Sequence, residues 1–583
     1  AGGDGAGTAG AGTAGAGAAG SGESGRGARL EAALFAAQRA LRSLEAVGWE
    51  VEALDARLIA GRAALELGQP RLARRQLELA AAGRDRGPVQ VRTRGWHAAA
   101  LVRLSQGDRR GASAAVAAGL RALEAHRMTL GATELRAHAS GHGEELATLG
   151  LRLAIESGSA ARVLTAAERR RAAGLMLRPA RPPDDEALAH DLQELRRVSA
   201  ALDVALREGR REPELLRRQA ALERSVRRRA LRARGAAPHP RVVDEGVRRE
   251  SGVFQLEEPA PSPSTLADAL GERAVVEFVA LDGDLFAVTL VGGRARLHRL
   301  GAEAQVEKEV GSLRFGLRNL ATSRTGSRAA EGMAQVVATV AERLDALLLQ
   351  PLHLGDRPLV LVPTGALHAL PWSMLPSLAE RPVAVAPSLR LWHRAATEPQ
   401  PAHPKRVFVA GPRLPAATEE VEVLAQRHPE ALTLTHADAT VDNVARALDG
   451  ADSVHVAAHG RFRDDNPLFC SLELADGNVT VYDLERLRKV PQRIVLSSCE
   501  SGLSAVHAGD ELMGFTAALF ALGTCTIFAA VVPVPDEATK GLMLALDEEL
   551  TKGTQPAQAL VNARRDKAKM SVAAAAFVCF GAG

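Results

Sequence analysis

Ser453-Val454-His455-Val456-Ala457-Ala458-His459-Gly460 and Arg493-Ile494-Val495-Leu496-Ser497-Ser498-Cys499-Glu500-Ser501-Gly502 are the two stretches on which the reading of this chain turns. Each opens as a short run rich in Val, Ile or Leu and closes on a reactive side chain set among small residues. Such runs read as strands of a parallel sheet buried on both faces. Sheets of that kind bind ligands beyond the carboxyl ends of their strands, and His459 and Cys499 fall there. A thiol needs an imidazole or other cation nearby to become a thiolate at neutral pH. A glycine directly after the histidine lets backbone N–H groups approach a developing oxyanion. Taken singly, the cysteine reads as core and the histidine as a satisfied hydrogen-bond partner. The two together, in this order and each with a glycine close behind, point to nucleophilic catalysis.

Working outward, the chain around these stretches alternates in period. Ala274–Leu281 and Leu285–Val291 read as strands joined through Asp282-Gly283-Asp284. Helical patterns follow at 302–322 and 330–349. Buried-strand candidates then recur at 359–362, 383–385, 407–410, 453–457, 493–497 and 525–532, several separated by helical stretches at 417–427, 440–449 and 511–522. Strands alternating with helices predict a mainly parallel sheet with helices on both faces.

Upstream the pattern is different. Residues 1–27 are almost all Gly, Ala, Ser and Thr and predict a disordered tail; their G-x-G-x-x-G at Gly5, Gly7 and Gly10 lacks the strand and helix that a nucleotide site needs. Residues 28–180 read as amphipathic helices in which small residues recur: Gly61, Ala64, Gly68, Ala73, Leu77 and Ala80, then Ala100, Arg103, Gly107, Ala112, Val116 and Gly119. Gly68 and Gly107 take the turn positions, and a more degenerate copy centres on Gly150 and Leu153. The pattern resembles tetratricopeptide repeats, although the copies are spaced more widely than the roughly 34-residue period of that repeat. An Ala-rich bundle without true repeats is the alternative. Either is a surface for recognition rather than chemistry. Residues 181–235 read as a helical hairpin whose second helix is rich in Arg, with interleaved Glu214 and Glu223 that favour a solvated or coiled-coil face over a nucleic-acid patch. A Pro-bearing linker at 236–263 leads to the α/β domain at 264–583.

Composition narrows the classes. With 583 residues the chain needs more than one core. Its 46% hydrophobic and 24% charged content is that of a globular protein, and no apolar run is long enough to cross a bilayer. The formal charge of +4 is small for this length and gives nucleic-acid binding little support. Four cysteines, Cys470, Cys499, Cys525 and Cys579, stand far apart with no C-x-x-C pair, which excludes a disulfide framework and fits a reducing cytoplasm. His455 and His459 share the spacing of the outer histidines in H-E-x-x-H, but the glutamate and the helix are missing, so no metal and no other cofactor is expected. G-x-S-x-G and the phosphate-binding G-x-x-x-x-G-K-[ST] are both absent.

His-Val-Ala-Ala-His-Gly (455–460), Asp465-Asn-Pro-Leu468 and Leu-Ser-Ser-Cys-Glu-Ser-Gly (496–502) together resemble the CHAT family of caspase-like cysteine proteases, often fused to tetratricopeptide repeats. Further segments carry the likeness: Leu361–Pro371, Ala386-Pro387-Ser388, Gly509–Gly514, Gly523–Val534 with Asp536-Glu537-Ala538, and Ala575–Val578. The resemblance implies a caspase-like fold at 264–583, with His459 as general base, Cys499 as nucleophile, and backbone N–H groups of Gly460 and Cys499 as the oxyanion hole. It gives His455 a supporting place behind the catalytic pair. It also implies cleavage of a partner protein, control by a protein activator at the repeats, and a role in bacterial antiviral defence. Ser497 stands where metacaspase-like relatives have the Asp that helps hold a basic side chain, and Glu500 replaces a His; with Asp465 these are the candidate pocket residues. Ala replaces a Trp common before the closing Ala-Phe pair. The alternative function is a catalytically silent interaction scaffold.

Overall fold

The computed structural model describes residues 17–130, 133–171, 186–232, 263–322, 327–463, 466–498, 505–507, 511–534, 536–565 and 572–583. The chain forms two compact units, 1–123 and 124–583. The first is helical: α1 (Gly17–Ala46), α2 (Glu50–Glu66), α3 (Pro70–Ala81), α4 (Val89–Ser105) and most of α5 (Arg109–Met128). Small residues let these helices approach closely. A Cβ on Gly61 of α2 would lie 2.6 Å from the Leu77 side chain of α3. Gly68 and Gly107, the expected turn residues, have φ of +67° and +78°, a conformation that costs glycine little. α1 already runs from Gly17, within the Gly/Ala-rich stretch, whose residues 1–16 lie outside the described residues.

The second unit opens with α6 (Thr133–Gly141), α7 (Glu144–Glu156), α8 (Ala160–Arg170), α9 (Glu186–Arg207), α10 (Pro213–Arg232) and α11 (Pro263–Leu270). A sheet of eleven strands follows, in two halves. The first half has β1 (Ala274–Leu281), β2 (Asp284–Val291), β3 (Arg294–Ala302), α12 (Glu303–Thr322), α13 (Arg328–Leu348), β4 (Leu359–Val362), β5 (Val383–Val385) and α14 (Leu389–Thr397). The second continues through β6 (Arg406–Ala410), α15 (Pro415–Arg427), β7 (Leu432–Leu434), α16 (Val441–Leu448) and β8 (Ser453–Ala457). A small three-stranded sheet then intervenes, made of β9 (Gly460–Arg461), β10 (Ser471–Leu474) and β11 (Gly477–Thr480), with α17 (Val481–Leu484) after it. The main sheet resumes with β12 (Arg493–Ser497). The hairpin β13 (Ala505–His507) and β14 (Glu511–Met513) precedes α18 (Phe515–Leu522), β15 (Thr526–Ala530), α19 (Asp536–Thr551), α20 (Pro556–Arg564), α21 (Val572–Ala576) and β16 (Phe577–Gly581).

The strand order is β3-β2-β1-β4-β5-β16-β15-β12-β8-β6-β7. β1, β4, β5 and β16 run parallel to one another, as do β15, β12, β8, β6 and β7; the two blocks meet at the antiparallel β15–β16 pair. The sheet is therefore mainly parallel, as the alternating pattern predicted. Three features differ from that pattern. β3 and β7 are further strands, one polar on its exposed edge and one only three residues long, and neither carries the apolar run of a buried strand. Residues 511–513, expected to begin a helix, pair with β13 instead; Gly514 at φ +150° turns the chain before α18 starts at Phe515.

The helices before the sheet belong to its core. Leu151, Val163 and Leu164 of α7 and α8 pack with Val275 of β1, Val360 of β4 and Trp392 of α14. Glu168 is fully buried and accepts hydrogen bonds from the N–H groups of Leu389 (2.7 Å) and Arg390 (3.0 Å), capping α14. Burial pushes its carboxyl above the usual range, against the pull of those N–H groups and Arg171. Arg171 in turn donates to the carbonyls of Pro363 (2.7 Å), just after β4, and of Phe278 within β1. α9 contributes Leu188, Leu192 and Leu195 to the large core shared by both halves of the sheet. A fragment beginning at residue 264 lacks all of these contacts. We expect 124–583 to unfold cooperatively on heating, whereas 264–583 should bind a hydrophobic dye and melt without a sharp transition; calorimetry and dye fluorescence on the two fragments check this.

Candidate active site

Counted along the chain, the strands of the second block are ordered β7-β6-β8-β12-β15, so the winding reverses between β6 and β8. Ligands of open α/β sheets lie at such a reversal, beyond the carboxyl ends of the strands. A cleft of about 350 Å³ lies there. Its walls include Arg413 from the turn after β6; His459, Gly460 and Arg461 from the segment after β8; Glu473 of β10; and Asp203 of α9.

Gly411 shapes this cleft. Its N–H donates to the Ala457 carbonyl (2.7 Å), which carries the β6 strand end alongside that of β8. A Cβ at that position would lie 2.7 Å from the Glu473 carbonyl oxygen and 2.8 Å from the Ala458 Cβ. Arg413, two residues on, has φ of +60°, a strained conformation for a non-glycine residue. The turn sends its guanidinium to the Glu473 carboxylate, and the Glu473 N–H donates to the His459 carbonyl (2.8 Å). The histidine backbone is thus tied to β10, and its side chain is exposed in the cleft.

His455 faces elsewhere. Strand alternation turns it with Ala457 toward α15, where its Nε2 lies 2.6 Å from Glu420 Oε1, both groups buried. This buried pairing gives His455 a partner within the α15 layer, away from the exposed His459. Among the described residues no group of three or more His, Cys, Asp or Glu is placed to hold a metal ion. Ser497, at the end of β12, is buried, with its Oγ 3.5 Å from Thr539 Oγ1 of α19. Cys499, Glu500 and Asp465 lie outside the described residues. The other cysteines, Cys470, Cys525 and Cys579, are buried. Burial pushes the Cys525 thiol up to about 11 and the Cys579 thiol up to about 12, so both stay protonated near neutral pH and are poor nucleophiles.

Residues 338–581 match the CHAT domain. The family resemblance read from the motifs therefore holds for the C-terminal part of the chain, and β8, β12 and the cleft all lie within the CHAT match. Two solved structures of Saccharomyces cerevisiae separase in complex with securin are also similar. One aligns over 94% of this chain and 48% of that chain at TM-score 0.47, the other over 91% and 44% at 0.48, each at 10% identity. The chain thus spans about half the length of those separase chains. No curated protein matches it. No helix among the described residues is long and apolar enough to cross a membrane.

Sequence reasoning missed Asp203, Arg413 and Glu473 as cleft residues. Asp203 is remote in sequence, and nothing local marks it. Arg413 carried a signal in the Gly411-Pro412-Arg413 turn directly after a buried strand. Because the space at Gly411 is closed by backbone, Gly411→Ala should lower stability by about 1–3 kcal/mol, read as a lower midpoint in urea with an unchanged slope.

Proposed function

We propose that the chain is a cysteine endopeptidase in which Cys499 is the nucleophile and His459 its base. One observation carries the reading. β8 and β12 are adjacent and parallel, with Ala457 opposite Ser497, so in sequence each of the two residues follows a matched strand end by two positions, and His459 lines the cleft at the winding reversal. The raised thiols of Cys525 and Cys579 support it by elimination, and the CHAT match supports it by family.

In this reading the imidazole of His459 takes the Cys499 proton, and the thiolate attacks the peptide carbonyl carbon. Backbone N–H groups of Gly460 and Cys499 stabilise the oxyanion. The C–N bond breaks as His459 returns the proton to the departing amine. Water, deprotonated by His459, then attacks the thioester, releasing the acid and restoring the thiol. His455, held by Glu420, keeps the strand beneath His459 in place. The substrate is a protein, selected in part through the repeat-like helices at 28–180.

The test is covalent labelling of the full chain with a peptidyl acyloxymethyl ketone, followed by mass mapping. The adduct is expected on Cys499, absent in Cys499→Ala, and slowed at least about 100-fold in His459→Ala. No adduct, or one on Cys470 instead, would return the chain to the silent-scaffold alternative.

A further inference from the structure

The segment that carries His459 has little sheet to hold it. β9 is two residues long and pairs with β10 only at Gly460↔Leu472 and Arg461↔Ser471. Beyond it, the backbone is held by the Glu473 N–H on the His459 carbonyl and by the Arg463 N–H on Cys470 Sγ (3.3 Å), Phe462 packs against the main core, and two arginine side chains reach the α9–α10 hairpin. Arg461 donates to the Asp203 carboxylate of α9 (2.7 Å), and Arg463 donates to the Glu223 carboxylate of α10. A third clamp, Arg196 of α9 to Asp483 at the start of α17, fixes the hairpin on the far side of the small sheet. The docking is close: a Cβ on Gly477, at the β10–β11 turn, would lie 2.8 Å from the Arg196 Cβ. All three hairpin residues lie far upstream of the CHAT match at 338–581.

The asymmetry of exposure decides what these pairs do. The Asp203 side chain retains 11% of its accessibility and Glu223 13%, against 51% and 24% for their arginines. A nearly buried carboxylate that loses its cation is left with its desolvation cost and no compensation. The acids sit in a packed helix pair, whereas the segment after His459 has only a two-residue strand of sheet. An arginine fork also fixes direction as well as distance. Asp203 and Glu223 therefore determine where Arg461 and Arg463 can lie, and with them Gly460 and His459, immediately before.

We propose that Asp203 and Glu223 are positioning residues for the active site, so that the α9–α10 hairpin sets the placement of the His459–Gly460 segment. The inference rests on the assignment of His459 and Cys499 made above. It makes the hairpin part of the catalytic body. An Arg227–Glu134 pair also links α10 to α6.

Iodoacetamide alkylation of Cys499 in the full chain, followed across pH by mass mapping, tests this without a known substrate. Cys470, Cys525 and Cys579 are buried and give a low background. If His459 activates Cys499, the wild-type labelling rate titrates below the ordinary thiol value of about 8.5, and His459→Ala moves it to that value. Asp203→Asn combined with Glu223→Gln should move it the same way and slow labelling at pH 6.5 at least about tenfold, the scale expected when a catalytic group is misplaced. Asp203→Arg with Arg461→Asp, which restores opposite charges, should recover most of the loss; a merely structural role predicts no such recovery. Should the paired variant unfold, Asp203→Asn alone carries the same expectation. Wild-type rate and midpoint in a folded Asp203→Asn protein would overturn the positioning role while leaving the dyad intact. No effect of His459→Ala would overturn both.

Discussion

A parallel strand buried on both faces has no room for chemistry along its length. β8 is hydrogen-bonded to β6 on one side and β12 on the other. Val454 and Val456 sink into one core, and His455 and Ala457 into the α15 layer. A polar side chain within such a strand must be satisfied internally, as His455 is by Glu420. Only where the ladder ends does the backbone meet solvent, and there the order of strands decides which ends gather. Because the winding reverses between β6 and β8, the turns after them diverge and leave a cleft instead of a covering helix.

The same constraint explains the effort spent on backbone at the strand ends. Gly411 lets the β6 turn pass against Ala458 and Glu473, and Arg413 accepts a left-handed conformation to reach the Glu473 carboxylate. Helices from well before the sheet finish the work. Glu168 and Arg171 satisfy backbone groups at α14, β1 and β4, and the α9–α10 hairpin covers the small sheet beside the cleft. The helices leading into the sheet are thus load-sharing parts of the α/β unit, and the compact division of the chain falls at residue 123.

Much of this was legible in the sequence because period and composition are local properties. The strands at 274–281, 359–362, 383–385, 453–457 and 493–497 announce themselves as apolar runs, and Gly68 and Gly107 as turns between helices. β7 and β9 were not legible, since Leu432-Thr433-Leu434 and Gly460-Arg461 are short and neither is an apolar run. The β13–β14 hairpin was hidden because Glu511-Leu512-Met513 reads equally well as the first turn of α18, and only pairing with 505–507 distinguishes the two. In the cleft, His459 and Gly460 were visible as a motif. Asp203 was not, because its role comes from Arg461, more than two hundred residues later, and a long-range ion pair leaves no local pattern. The Arg-rich face of α10 reads as a solvated or coiled-coil face, and its Arg218 and Arg229 pair with Glu194 and Asp191 of α9.

The proposal that the rest depends on is that the two matched strand ends bring Cys499 and His459 together. The most direct measurement is a crystal structure of the full chain carrying a peptidyl ketone adduct. The account predicts the adduct on Cys499 Sγ, a His459 ring nitrogen within about 3–4 Å of that sulfur, and the ketone oxygen directed at the Gly460 N–H. A His459 ring more than about 6 Å from the sulfur, beyond reach through one water, would contradict it.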